Sequence, residues 1–229
     1  MTDALDSLAE HGVDQMVRVD AALSAHGLPA GHPVAGLLRR LGALPADALD
    51  AILALRAAPL RAAATDLRRT AAGYSYQRDL LATPAEWAGS AGERFAAYRD
   101  DLVAHLGSTG DPDEQGLVGR LRGTADYLDD VATWVERSRR DMAVALAEVL
   151  GSIEATRLRT GRAGGTTASV GAAATVGARV LTAAADAHAI GLVLAERWAG
   201  RLAEVPYRCG ADGAGEGCVG AAGETRLAL

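Results

Sequence analysis

The side chains that could carry chemistry are scattered along this chain. His188 follows Asp186 by two residues, a spacing that places the two side chains on different sides of a helix. The motifs of zinc peptidases, α/β-hydrolases and phosphate-binding loops do not occur in the sequence. The residues therefore predict no catalytic, cofactor-binding or metal site. All five histidines lie far apart on different segments: His11, His26, His32, His105 and His188.

Other polar groups have simple structural interpretations. The adjacent acids Asp100-Asp101 and Asp129-Asp130 are typical of solvated helix faces. Residues 164–167, Gly-Gly-Thr-Thr, precede a predicted helix and could hold an anion at its first turn. No lysine and no preceding strand accompanies them, which favours an interhelical loop. The only cysteines, Cys209 and Cys218, fit neither a CxxC motif nor a zinc site, and a small disulfide loop and two free thiols both remain open.

Composition predicts an all-α protein that does not bind nucleic acid. The 229 residues are 49% hydrophobic and only 4% aromatic, and the apolar residues are mostly Ala, Leu and Val, which suits close helix packing. The formal net charge is −6, and the arginines stand among acids instead of forming a basic block. The first residues are acidic where a secretory signal would be basic, so the general secretory route is not expected.

Helical periodicity and chain breakers divide the chain into four predicted segments. Residues 1–44 are an N-terminal helical segment. Residues 45–160 contain two long arms on either side of a corner at residues 84–95. Residues 161–205 hold a Gly/Ala-rich helix that packs on the bundle, and residues 206–229 form a tail expected to be disordered.

Individual breakers refine the helices. The first arm begins at Pro45, kinks or restarts at Pro59 and ends at Thr83-Pro84. The stripe that begins at Leu117 is predicted to continue to Ile153 as one long helix. The small residues of the last helix allow tight packing, but they also resemble those of membrane helices. Its charged residues interrupt the apolar run, which favours a packed soluble helix over a membrane span.

The corner has the residues of a tight chain reversal. Gly89 and Gly92 allow the chain to turn closely, and Ser90 can cap the outgoing helix. We expect Trp87 to be buried against the ends of both arms, with Phe95 one turn inside.

The sequence Trp87-Ala88-Gly89, followed by Ala91 and Phe95 between two helical arms, resembles the WXG100 family and its larger relatives. These are substrates of type VII (ESX) secretion systems, in which a Trp-x-Gly turn joins two antiparallel helices. The resemblance implies an elongated helical bundle built on a long antiparallel hairpin, here with extra N- and C-terminal helices. It also implies an actinobacterial or related origin, and pairing with another hairpin protein or with a second copy, with the secretion ATPase as a further candidate partner.

The implied location is outside the cell or on its envelope, reached from the cytoplasm without a cleaved signal. The sequence departs from the family in several respects. No tyrosine is followed by Asp or Glu at the Tyr-x-x-x-Asp/Glu spacing of the export signal, so export would depend on the signal of a partner. The chain is about twice the size of a minimal member, and residues 107–116 interrupt the second arm. A second tripeptide, Trp198-Ala199-Gly200, lacks the downstream Phe and is interpreted as a coincidence.

The expected function is therefore non-enzymatic: a secreted substrate of this pathway, or the pairing partner of one, acting through helix–helix contacts. One alternative is a membrane-active or pore-associated effector that uses residues 168–194. Others are an intracellular adaptor or chaperone, and an enzyme with a site built from dispersed residues.

Overall fold

A computed structural model describes residues 3–83, 87–107, 116–160 and 166–202 of the chain. Within these ranges the protein is all-helical, as predicted, and no strand occurs. The eight helices of the described ranges are α1 (Ala4–His26), α2 (Val34–Leu41), α3 (Pro45–Ala54), α4 (Ala58–Ala82), α5 (Ser90–Leu106), α6 (Leu117–Leu150), α7 (Ile153–Thr160) and α8 (Thr166–Ala199).

Most helix ends fall where proline and glycine predict them. α3 begins at Pro45, and α4 restarts the helix at Ala58 with Pro59 in its first turn. One helix end differs from the prediction: the helix expected to continue from Leu117 to Ile153 ends at Leu150. Gly151 and Ser152 separate α6 from α7, and the Ser152 hydroxyl accepts a hydrogen bond from the backbone N–H of Ala155 (3.1 Å). This serine is an N-cap, and it begins a new helix.

Contacts between residues group the chain into two compact units. Unit 1 is drawn from Met1–Thr65 and Ala125–Arg201, and unit 2 consists mainly of Asp66–Thr124, so the boundaries fall inside α4 and α6. Within unit 1 the beginning of α4 lies beside α6, because Arg61 forms an ion pair with Glu136 (2.8 Å). In unit 1 the first and last helices of the described ranges, α1 and α8, pack together.

α8 is the central helix of unit 1 and contacts α1, α2, α3 and α7. Its buried face includes Val180 and Leu181, together with alanines, in one apolar core with residues of α1 and α3. At Gly177, a Cβ atom would lie 3.1 Å from Cγ of Pro45 and 3.2 Å from Cγ1 of Val19. These distances are already short for carbon atoms. The small residue at position 177 therefore serves close packing between helices.

Arg139 joins three helices of unit 1. It lies in the α6 stripe that also buries Ala125, Ala132 and Leu146 at seven-residue steps, and only 6% of its side chain is exposed. Its guanidinium pairs with Asp3 (2.6 Å) and Asp6 (2.6 Å), which lie immediately before and within the first turn of α1. It also donates hydrogen bonds to three carbonyls at the end of α3, those of Ile52, Leu53 and Leu55.

This arrangement compensates the charge of Arg139 from two sides. Its hydrogen bond lowers the pKa of Asp3 to about 2, and the same pairing raises the pKa of Arg139. The α3 carbonyls also accept hydrogen bonds from Arg56 and from the backbone N–H of Leu55, and Arg139 adds a second donor at a helix end where the helix dipole favours a cation. Arg139 is thus a structural residue that links the start of α1 to the end of α3.

Asp20 provides a second link, between α1 and the start of α3. Its carboxylate accepts a hydrogen bond from the backbone N–H of Ala46 (3.2 Å), in the first turn of α3. The N-cap position of α3 is Leu44, whose side chain has no acceptor atom, so Asp20 supplies one from another helix. Burial raises the pKa of Asp20 to about 6, against the lowering effect of the Ala46 hydrogen bond and with a smaller contribution from the charge of Asp47.

Asp20→Asn should stabilise the protein above neutral pH and not in mild acid. The pKa of Asp20 is higher in the folded protein than its ordinary 3.8, so folding favours the neutral form. Its contribution to stability is complete below about pH 4 and is lost as the pH rises through about 6. Asparagine is neutral at every pH and keeps an acceptor for Ala46, which predicts a gain of about 2 kcal/mol at pH 8 and none at pH 4.

The measurement is urea denaturation at both pH values, followed by circular dichroism. Asp14→Asn is the matched control because Asp14 is exposed on the same helix. An equal effect of Asp20→Asn at both pH values would show that the hydrogen bond, and not the buried charge, decides the stability.

Candidate protein-interaction surface

Two glycines determine the backbone at the beginning of α5, and residues 84–86 of the predicted corner lie outside the described ranges. Gly89 is the N-cap of α5 and has φ +90°, which a residue with a side chain rarely adopts. A Cβ atom at position 92 would collide with the carbonyl oxygen of Trp87. Ser90, in contrast, is the first helical residue, and no side-chain cap hydrogen bond is formed at this end. The capping role expected for Ser90 is therefore wrong, because the cap position belongs to Gly89.

The expected burial of Trp87 is also wrong. Its side chain is 61% exposed, and that of Phe95 is 42% exposed. The two rings contact each other, with centroids 5.7 Å apart and planes tilted by 60°. Ala91, the remaining residue of the predicted turn motif, is exposed in the first turn of α5. Trp87 and Phe95 thus contact each other, and both face solvent.

Five of the nine aromatic residues of the chain are exposed in unit 2. Tyr74 and Tyr76 are two positions apart on α4 and lie on different sides of that helix, whereas Trp87, Phe95 and Tyr98 lie at or near the beginning of α5. Aromatic residues are enriched at protein interfaces, because they contribute a large contact area with few rotatable bonds. We call the exposed rings near the beginning of α5 the aromatic surface: Trp87, Phe95 and Tyr98.

Arg78 anchors the other end of α5. Its guanidinium is buried and donates hydrogen bonds to the carbonyl of Gly107 (3.1 Å) and to the hydroxyl of Ser75 (3.0 Å). Gly107 directly follows the last residue of α5, Leu106, which is itself buried. The end of α5 is therefore fixed to α4, whereas along the rest of the helix only Gly92 is buried. This leaves the side chains of the first turns of α5 free to contact another molecule.

The second Trp-x-Gly tripeptide has the opposite environment. Trp198 is only 4% exposed, at the end of α8, and its indole N–H donates to Asp130 (3.0 Å). The ring lies 5.8 Å from that of Tyr127, and the guanidinium of Arg201 sits 4.5 Å from the ring centroid. Arg197 also pairs with Asp130. This tripeptide serves packing within unit 1, a role that the sequence interpretation did not assign to it.

The residues considered for chemistry do not assemble into a reactive site in the part of the chain described. Asp186 and His188 are both exposed on α8. His32 accepts a hydrogen bond at Nδ1 from the backbone N–H of Val34 (3.2 Å) and so helps to begin α2. No group of three His, Cys, Asp or Glu side chains within the described ranges could hold a metal ion. Cys209, Cys218 and residues 164–165 lie outside these ranges.

Each acidic pair has at least one arginine partner. Asp100 pairs with Arg99 (2.8 Å), and Asp130 is held by Arg197 and Trp198 as described above. One cleft of unit 1, about 580 Å³, is lined by His32, Arg179, several acids that include Glu148 and Asp186, and small side chains such as Ala145. The hydroxyls of its two threonines, Thr175 and Thr182, donate to backbone carbonyls of α8, so neither is placed as a nucleophile.

Among the described residues, one helix is long and apolar enough to cross a membrane. This is Ala168–Ala199, with a mean hydropathy of 1.4 in its most apolar window, of which 28% is buried inside the protein. The same helix packs against α1, α2, α3, α6 and α7 in unit 1. Part of its apolar surface is therefore in the core, whereas Leu192 (57% exposed) and Val193 (66% exposed) face solvent, and length and composition alone are weak evidence for a span.

No protein-family model, curated protein or solved structure matches this chain. Its function must therefore be inferred from its own residues and their geometry.

Proposed function

We propose that this chain is a non-enzymatic helical protein of the type VII secretion pathway, either a secreted substrate or the pairing partner of one. In this proposal α4 and α5 correspond to the two helices that a Trp-x-Gly turn joins in that family. The partner is a second helical hairpin, and the contact is made by the aromatic surface. The protein would leave the cytoplasm without a cleaved signal and act outside the cell or on its envelope.

The observation that carries the proposal is the exposure of the turn motif. A large ring such as Trp87 is normally buried in a folded protein, and an exposed group of aromatic side chains commonly marks a binding site. Gly89 and Gly92 hold Trp87 and Phe95 together at the beginning of α5. The fold thus maintains an apolar group on its surface, which is what a contact with another helical protein requires.

Export measured in a type VII host tests the proposal. The chain is produced together with the small Trp-x-Gly proteins of that host, because it lacks a Tyr-x-x-x-Asp/Glu signal of its own. We expect the chain in the culture medium of the host with the secretion ATPase and its retention in cells without it. Equal amounts in the medium of both strains would contradict the proposal.

Two variants test whether export depends on the aromatic surface. The double variant Trp87→Ala and Phe95→Ala should reduce export and the recovery of a co-purifying hairpin protein, because both exposed rings are removed. Val193→Ala is the matched control, since Val193 is exposed to a similar extent (66%) but lies on α8 in unit 1. An equal loss of export in both variants would argue against a specific role for the aromatic surface.

A membrane-active effector is the second candidate, favoured by the apolar length of Ala168–Ala199. Flotation with liposomes separates the two proposals. Protein that remains entirely in the soluble fraction in the presence of liposomes does not act in this way.

A further inference from the structure

Gln15 of α1 is a buried side chain whose hydrogen-bonding groups have no partner. Only 1% of it is exposed, and neither its amide nitrogen nor its amide oxygen forms a hydrogen bond in the part of the chain described. Leu8 and Ala22 lie seven residues before and after it, and both pack against the apolar core, so an apolar residue would fit this position. Burial of an amide without partners costs free energy. Glutamine is therefore unfavourable for the fold here, and departures of this kind are expected at functional sites.

Gln15 lines a cleft of unit 1 between α1 and the ends of α6 and α7. The volume of the cleft is about 460 Å³, within the range of about 300–1,000 Å³ that small-molecule sites have. α1 forms one side with residues at steps of three, four and three, which share one face of the helix, and the ends of α6 and α7 form the other: Leu8, His11, Gln15 and Arg18, then Leu150 and Arg159. The buried amide is thus part of the wall of a cleft.

Two arginines give this cleft an excess of positive charge. Arg159 donates to the carbonyl of Leu150 (3.3 Å) and to the hydroxyl of Thr156 (3.1 Å), which hold its guanidinium beside the end of α6. Arg18 is exposed and forms no hydrogen bond or ion pair with the described residues. Asp14 is the only acid among the described residues that line the cleft. A guanidinium has five N–H donors, and two of them match the two oxygens of a carboxylate.

We propose that this cleft binds a small carboxylate that carries a neighbouring amide, the chemistry of an N-acylated amino acid. The carboxylate accepts hydrogen bonds from Arg18 and Arg159. The amide of Gln15 donates to the carbonyl of the ligand and accepts from its N–H, while Leu8 and Leu150 contact its apolar side chain. Such a ligand supplies both kinds of partner that Gln15 lacks, whereas a simple carboxylate offers acceptors alone.

Titration of the isotope-labelled chain with N-acetyl-leucine, followed by NMR, tests the inference. The side-chain NH₂ signals of Gln15 are identified by their absence from the spectrum of Gln15→Leu, and we expect them to shift as the ligand binds. A ligand of about a dozen non-hydrogen atoms should have a dissociation constant near the millimolar range. N-acetyl-leucinamide lacks the carboxylate, and isocaproate lacks the amide. Each should bind at least about ten-fold more weakly than N-acetyl-leucine.

Two variants separate binding from folding. Gln15→Leu should weaken the binding of N-acetyl-leucine by at least about ten-fold and should raise the midpoint of thermal unfolding, because it removes a buried amide that has no partner. Arg18→Gln should weaken binding to a similar extent and leave the midpoint unchanged, because Arg18 is exposed. Arg40→Gln is the control, since Arg40 is exposed on α2 and does not line the cleft. Its affinity for the ligand should equal that of the natural chain.

Three results would overturn the inference. The first is the absence of any shift in the Gln15 signals up to the solubility limit of N-acetyl-leucine. The second is equal binding of N-acetyl-leucine and either analogue. The third is a Gln15→Leu variant that is more stable than the natural chain and binds the ligand equally well, because the glutamine would then have no part in binding. All of these measurements are independent of the export assay.

Discussion

Trp198→Ala should destabilise the protein by about 3–5 kcal/mol, whereas Trp87→Ala should change the free energy of unfolding by less than about 0.5 kcal/mol. Both residues belong to the same tripeptide, Trp-Ala-Gly, but only Trp198 is buried. Its loss leaves a cavity beside Tyr127 and removes the indole donor from Asp130. Trp87 loses mainly its contact with Phe95, and solvent fills the space.

Urea denaturation followed by circular dichroism measures both changes. Each variant serves as the control for the other, because both replace one tryptophan by alanine. A large loss of stability in Trp87→Ala would restore the original expectation that this ring belongs to the core. A small loss in Trp198→Ala would mean that the end of α8 contributes little to the stability of unit 1.

Arg139→Met should reduce the free energy of unfolding by about 3 kcal/mol. Methionine keeps much of the length of the side chain, so packing is largely retained while the charge and all donors are lost. The carbonyls of Ile52, Leu53 and Leu55 then each lose one donor, and Asp3 loses its partner. Arg140→Met is the control, because Arg140 is the next residue and is exposed. Its effect should be close to zero.

Arg139→Met should also change how the free energy of unfolding depends on pH in acid. The pKa of Asp3 is lowered to about 2 in the folded protein, below its ordinary 3.8. Its contribution is therefore present above about pH 4 and is lost as the pH falls towards 2. Between pH 5 and 2, the window set by this pKa shift, the free energy of unfolding should fall less steeply with decreasing pH in Arg139→Met than in the natural chain. Urea denaturation at several pH values measures this slope. Identical slopes would show that Asp3 is not stabilised through Arg139.

The limits of the helices follow from local chemistry, which is why the sequence predicts them well. Pro45, Pro59 and Gly89 act through their own backbone geometry, and each of them stands at a helix end in the structure. Ser152 is an equally local signal and could have predicted the break after α6. The apolar periodicity continues across residues 151–153 and favoured one uninterrupted helix, so the cap at Ser152 was not recognised from the sequence.

Burial cannot be predicted in the same way, because it depends on residues distant in the sequence. Arg139 belongs to a run of charged residues on α6, and its partner Asp3 lies 136 positions earlier. Trp198 is buried by residues of α6, far from the tripeptide itself. Trp87 and Phe95 contact each other because they are near neighbours in the chain. Nothing in the motif could indicate whether the pair faces the core or the solvent.

The division of the chain also has an evolutionary consequence. Unit 1 is discontinuous, and Asp66–Thr124 enters and leaves it through α4 and α6. Arg61 pairs with Glu136 and so holds the beginning of α4 beside α6. The two ends of the inserted segment therefore leave unit 1 at the same end of this helix pair. Segments inserted in this way can be lengthened, exchanged or removed while the host fold persists. Recombination could therefore replace the aromatic surface, and with it the choice of partner, while the helices of unit 1 persist.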